Sequence, residues 1–133
     1  MIEITVRSTH IDMFGHVNNA TYIEFLEWSR VRMAEDHGID LLALAAEGIG
    51  PAVVHLDINY RKESRMNDVL LVDAKVSEIR NDKVGVITQT ITNKKTGERV
   101  CDARVTFVMF DLQRRKSIPM PESMKAMAPA MQQ

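Results

Sequence analysis

Ser8–Arg30, STHIDMFGHVNNATYIEFLEWSR, is the stretch whose reading decides the fold. It opens as a loop of small and polar residues in which Gly15 marks a tight backbone turn. It then becomes a long amphipathic helix. Asn18 and Asn19 stand at its start, where a short side-chain carbonyl accepts a first-turn N–H that has no helical partner. Tyr22, Phe25, Leu26, Ser29 and Met33 recur at helical spacing, with Glu24, Glu27, Arg30 and Arg32 largely on other faces. Gly38 sits where a left-handed C-terminal turn belongs. From about Ala20 to His37 the helix spans roughly 27 Å, long enough to be the spine of a small domain.

Around this spine the hydrophobic period changes from 3.6 to 2. Upstream, Ile2–Val6 alternates and predicts a short first strand. Downstream, Asp40 caps a short second helix through Leu41–Ala46, closed by Gly48 and Gly50, and Pro51 introduces the next element. From Ala52 onward Val54, Leu56, Ile58 and Tyr60 share one strand face, opposite Val53, His55, Asp57 and Asn59. A polar loop, Arg61–Asn67, precedes a strand over Val69–Val76. Arg80–Lys83 reads as a hairpin turn, Val84–Thr92 as a strand, Asn93–Gly97 as a second hairpin connection, and Val100–Asp111 as the longest strand. In the tail, Met120, Met124, Met127 and Met131 are spaced four, three and four, with Pro129 limiting any helix. Such a stripe docks on the protein's own surface or a subunit neighbour, or lines an acyl channel, since thioether side chains fit irregular apolar shapes. One long helix and a run of hairpin-joined strands make an α+β domain whose antiparallel sheet buries a face against the helix.

The chain has 133 residues, 45% apolar and 26% charged, with a net charge of −1. Those values predict one soluble globular domain over residues 1–133, with a peripheral tail from about 119 to 133. The charge balance is unlike that of a nucleic-acid binder. The single cysteine, Cys101, rules out an intrachain disulfide, fits a reducing compartment and reads as a buried, inert thiol on a strand. No apolar run approaches a membrane span, and MIEITVRS lacks the pattern of a signal peptide, so a cytoplasmic location is expected. His10, His16, His37 and His55 show no ligand spacing, and no phosphate-cradling glycine loop is present; neither metal nor cofactor is expected.

Asp12 lies just upstream of the helix. A helix N-terminus carries unpaired N–H groups and roughly half a positive charge, which favours an ionised carboxylate nearby and can hold a developing oxyanion. An anionic nucleophile or base beside an oxyanion site is a minimal kit for opening an acyl bond. An aspartate in a loop also makes turns by accepting backbone N–H groups, and the residues alone leave both roles open.

The pattern Asp12-x-x-Gly15-His16-Val17-Asn18-Asn19-x-x-Tyr22 resembles the signature of hotdog-fold acyl-CoA thioesterases of the 4-hydroxybenzoyl-CoA thioesterase type. The resemblance extends in order and length over about residues 2–122. It implies a hotdog fold, an antiparallel sheet of about five strands wrapped round one long central helix. It also implies a homodimer or homotetramer with the active site at the subunit interface. By the same resemblance Asp12 attacks the thioester carbonyl or serves as general base, and the Asn19 backbone N–H polarises that carbonyl. Gly15 serves the turn and the close approach of substrate. His16 is a general acid or a loop support, Asn18 orients water or caps the helix, and Tyr22 belongs to the core beside the substrate. Glu24 and Glu27 occupy the central helix, where other hotdog thioesterases keep their carboxylate; with Asp12 in the loop, a solvated or interface role is expected for both. Arg80 and Lys83, or Lys62 and Arg65, are the candidate partners of the coenzyme A phosphates. The family often carries a second acidic residue two positions before the catalytic one, and here that position is His10.

The resemblance therefore implies hydrolysis of an acyl-CoA to free acid and coenzyme A. With nine Met and only 5% aromatic residues, the composition leans toward aliphatic acyl groups. Three rivals remain on sequence alone: a thioesterase acting on acyl carrier protein, a non-catalytic hotdog that binds acyl-CoA, and a hotdog dehydratase or hydratase, whose motif this one does not resemble.

Overall fold

The computed structural model describes residues 1–129, so Met131 of the methionine stripe lies outside the described residues. The elements run β1 (Ile2–Thr5), a 3-10 turn (Ser8–His10), α1 (Asn19–Asp36), α2 (Leu41–Ala46), β2 (Ile49–Tyr60), β3 (Val69–Arg80), β4 (Val84–Asn93), β5 (Arg99–Asp111), β6 (Lys116–Ile118) and α3 (Glu122–Lys125). The strands form one sheet in the order β1-β3-β4-β5-β2, with β6 also paired to β5. β1 runs antiparallel to β3 with Ile2 opposite Val72, and β6 antiparallel to β5 with Met109 opposite Ile118. A single long helix with a hairpin-built sheet is the α+β arrangement expected of a hotdog fold.

Local chemistry accounts for most boundaries. At the end of α1, Gly38 takes φ +75; its N–H donates to the Glu35 carbonyl at 2.9 Å and that of Ile39 to Ala34 at 2.9 Å. This paired closure needs a residue free to adopt the left-handed region. Asp40 caps α2 by accepting from the Ala43 N–H. Between β3 and β4, Asn81 and Asp82 have φ 52 and 57, and the Lys83 N–H donates to the Arg80 carbonyl. Two positive φ values in a two-residue loop match the right-handed twist of the flanking strands. Between β4 and β5, the Asn93 side chain accepts from the N–H groups of Lys95 and Thr96.

Three features go beyond the sequence expectation. Beside the expected five strands the described residues form a short sixth, Lys116–Ile118, too short to show alternation, which pairs with the end of β5. β2 begins at Ile49 rather than Ala52. Gly50 and Pro51 lie inside it, and a proline is tolerated there because β2 is the terminal strand of the sheet order, where one side makes no ladder bonds. Among the described residues of the tail only Glu122–Lys125 is helical; Met120 and Met124 are buried and Met127 is half-buried, so this part of the stripe docks on the chain itself.

The chain divides into two compact units: Met1–Arg32, Ile58–Ala74 and Gln89–Ala103 in one, and Met33–Asp57, Lys75–Thr88 and the residues from Arg104 onward in the other. α1, β2, β3, β4 and β5 each contribute to both, so the division cuts through these elements. The first unit has a core of Val6, Phe25, Leu26, Leu70, Val72, Ile91 and Val100. Two of its buried polar side chains are paired: Ser29 Oγ donates to the Val72 carbonyl, and Gln89 donates to the Leu26 carbonyl while accepting from Arg30. In the second unit Val76, Val86, Val105, Phe107 and Met109 are buried. There a Cβ at Gly85 would clash with the edge of the Phe107 ring. Overfilling such a site costs about 1–3 kcal/mol, so Gly85→Ala is expected to lower the melting temperature measurably; an unchanged melting curve would mean that the ring moves aside freely.

Candidate active site

The turn that carries Asp12 is closed by its own backbone. The Asp12 N–H donates to the His16 carbonyl at 2.8 Å, the Gly15 N–H returns to the Asp12 carbonyl at 3.1 Å, and Gly15 adopts φ +82. Asp12 Oδ1 accepts from the N–H groups of Phe14 and His16, while Oδ2 makes no hydrogen bond among the described residues. One carboxylate oxygen therefore shapes the turn and the other is uncommitted among the described residues.

The helix begins immediately afterwards. The Val17 N–H donates to Ser64 and the Asn18 N–H to His10, each at 2.9 Å. Asn18 Oδ1 accepts from the Ala20 N–H at 2.8 Å, which makes Asn18 a cap, and Asn19 Oδ1 reaches the same N–H at 3.0 Å. The Thr21 and Tyr22 N–H groups turn back to the Asn18 carbonyl. Among the described residues the Asn19 N–H alone in this first turn is left without an acceptor. It is a donor at the positive end of a helix eighteen residues long.

Asp12, His16, Val17, Asn19, Tyr22, Tyr60, Arg61, Lys62 and Glu63 line one open cavity of about 320 Å³, all within the first unit. The loop after β2 thus supplies the second wall. His16 Nε2 meets Glu63 at 2.6 Å, tying the two loops together. Glu63 also takes Arg65 at 2.7 Å, and that guanidinium holds the Glu63 carboxyl below the usual carboxylate range. The candidate cations separate accordingly. Lys62 lines the cavity and reaches Glu98 at 3.4 Å, and Arg65 abuts it through Glu63. Arg80 pairs with Glu78, and neither Arg80 nor Lys83 lines this cavity.

Tyr22 and Tyr60 are the aromatic residues of the lining. Tyr22 is buried against Phe25 and Tyr60, with ring centroids 6.3 Å and 5.7 Å away. Burial pushes its phenol up, partly offset by the nearby Ser64 hydroxyl. Both hydroxyls are buried without a hydrogen bond of good geometry among the described residues. His10 packs edge-on against Phe25 at 5.0 Å. Burial pushes the Cys101 thiol up to about 12, leaving it protonated at neutral pH and a poor nucleophile. No group of three or more His, Cys, Asp or Glu among the described residues is placed to hold a metal ion, and no helix there is long and apolar enough to cross a membrane.

Tyr60, Arg61 and Glu63 line the cavity without having been expected there from the sequence. Their signal is weak in sequence, since each meets the motif only through tertiary contact.

Known proteins match this chain along most of its length. Residues 6–127 fit the profile of the thioesterase-like superfamily. The long-chain acyl-CoA thioesterase FadM of Escherichia coli (strain K12) is 37% identical over 116 residues, covering 87% of this chain and 86% of that protein. The acyl-CoA thioester hydrolase YbgC of Escherichia coli O157:H7 is 29% identical over 115 residues, covering 86% and 84%. The crystal structure of YbaW, a probable thioesterase from Escherichia coli, aligns with a TM-score of 0.82 at 35% identity, covering 95% of this chain and 96% of that one.

Proposed function

The chain belongs to the thioesterase-like superfamily, and from that premise we propose that it hydrolyses acyl-CoA thioesters to the free acid and coenzyme A. Its fold is the hotdog fold, shared with YbaW over nearly the whole length. The observation that carries the mechanism is the pairing of Asp12 and Asn19 in one cavity, with Asp12 Oδ2 and the Asn19 N–H both left uncommitted.

The thioester oxygen accepts from the Asn19 N–H, which draws electron density from the carbonyl carbon and is best placed to stabilise the tetrahedral oxyanion. Asp12 either attacks that carbon, giving a mixed anhydride that water then opens, or takes a proton from the attacking water. Both routes release coenzyme A as the thiol. The Glu63 and Glu98 contacts to Arg65 and Lys62 are exposed ion pairs worth little in water, so these cations are free to exchange them for coenzyme A phosphates.

A long-chain aliphatic acyl group is the proposed substrate, in keeping with FadM and with a chain rich in methionine and poor in aromatics. A panel of acyl-CoA substrates of graded length and aromaticity, assayed for free thiol beside the matching acyl carrier proteins, tests this. Fastest turnover on long-chain acyl-CoA is expected. No thiol release from any member would overturn the hydrolase reading.

The enzyme is further proposed to be a homodimer, or a pair of such dimers. β2 is terminal in the sheet order, with Val53 and Val54 exposed at 51% and 59%, and the motif loop holds Met13 and Phe14 exposed at 90% and 75%. An edge strand and apolar residues beside the site are what a second copy would cover. Light scattering is expected to give a mass of two or four chains; a single-chain mass in an active preparation contradicts it.

A further inference from the structure

The first turn of a helix is its least constrained part, because its N–H groups have no partners within the helix. The Asn19 N–H can meet a carbonyl oxygen reproducibly only if that turn is held from outside. On the incoming side it is held by the Val17 and Asn18 N–H groups, bonded to Ser64 and His10. On the outgoing side the contact comes from β2: the Tyr60 hydroxyl donates to the Asn19 carbonyl at 3.0 Å. Tyr60 is the last residue of that strand, lines the cavity and stacks against Tyr22.

The residues on either side of Tyr60 are themselves clamped. Asp102 on β5 accepts from Asn59 Nδ2 through Oδ1 at 3.0 Å and from Arg61 Nε through Oδ2 at 2.6 Å. The N–H groups of Arg61 and Lys62 both reach the Val100 carbonyl. Alternate residues of a strand point to opposite faces, so gripping Asn59 and Arg61 on one face fixes Tyr60 on the other. Arg61 and Asn59 together hold the Asp102 carboxyl below its usual range, so it remains charged in this role at neutral pH.

We propose that Tyr60 is a positioning residue for hydrolysis: its hydroxyl fixes the opening turn of α1 so that the Asn19 N–H faces the thioester oxygen, and Asp102 fixes Tyr60 through Asn59 and Arg61. Tyr60 itself transfers no proton. This rests on the hydrolase reading above.

The test compares wild type, Tyr60→Phe, Asp102→Asn, the double variant and Asp12→Asn on a long-chain acyl-CoA, with melting curves for all. Phenylalanine keeps the ring packing and removes only the hydroxyl. Loss of a hydrogen bond that orients the oxyanion donor is expected to lower kcat about tenfold with KM changed less than about twofold. Asp102→Asn is expected to lower kcat less, and the double variant no further than Tyr60→Phe, because both act through one contact. The pH profile of kcat should keep its shape in Tyr60→Phe. Unchanged kcat in Tyr60→Phe, with activity lost in Asp12→Asn, overturns the positioning role and leaves the hydrolase reading standing. Full activity in Asp12→Asn overturns that reading itself. A titration that disappears from the Tyr60→Phe profile also overturns the proposal, since the phenol would then be exchanging a proton.

Discussion

Asn19→Pro is expected to cut turnover on acyl-CoA by at least about a hundredfold, the scale of losing an oxyanion donor, while Asn19→Ala keeps most of the activity. The group assigned to the carbonyl oxygen is a backbone N–H, which alanine retains and proline alone removes. Proline in a helix interior would wreck the fold, but Asn19 is the first residue of α1, where the ring's fixed φ suits the helix and no helical hydrogen bond is lost. The extended backbone that proline imposes on the preceding residue is what a cap residue such as Asn18 adopts. The cap itself persists, since Asn18 Oδ1 still takes the Ala20 N–H when the Asn19 side chain is gone. Melting curves of the two variants should therefore lie close together while their kcat values diverge. Equal activity in both would move the oxyanion site elsewhere.

That contrast also marks what the sequence made legible. Regular local physics was readable: the 3.6 period of α1, the Gly38 closure, the Asp40 cap and the two hairpin turns each depend on residues within a few positions of one another. So was the seven-residue motif from Asp12 to Tyr22, which places the turn and the helix start side by side. Partners that meet through the tertiary fold were not readable. Tyr60 lies 41 residues from Asn19, and nothing in a half-buried strand pattern distinguishes a tyrosine that packs from one that orients a peptide. Glu63 looked like one more charge in a polar loop until His16 was found against it. Among the cations, the resemblance pointed to Arg80 and Lys83, with Lys62 and Arg65 as alternatives. Only Lys62 shares the cavity with Asp12, because the loop after β2 and not the β3–β4 turn forms the wall of that cavity. β6 escaped because three residues carry no measurable period, and the start of β2 because glycine and proline signal a break except at a sheet edge.

Asp12→Asn is the second large effect. Asparagine keeps a carbonyl oxygen at the position of Oδ1, so it can still accept from Phe14 and His16 and hold the turn. What it loses is the charge and the basicity of the second oxygen, which under either route supplies the nucleophile or removes the proton from water. Structural and chemical roles of one side chain are thereby separated: the turn survives and the chemistry does not. Labelled water adds a distinction between the two routes. In a single turnover with enzyme in excess, a nucleophilic Asp12 acquires oxygen from solvent when the anhydride opens at the enzyme's own carbonyl, whereas a general base acquires none.

The site is held to work because a carboxylate and a helix-end N–H act on the same carbonyl. The rate of free-thiol release from a long-chain acyl-CoA by wild-type and Asp12→Asn protein, matched in melting temperature and oligomeric mass, tests this most directly. A fall of at least about a hundredfold in kcat is the predicted result. A variant that melts like wild type and releases thiol at a rate within about twofold of it contradicts the account.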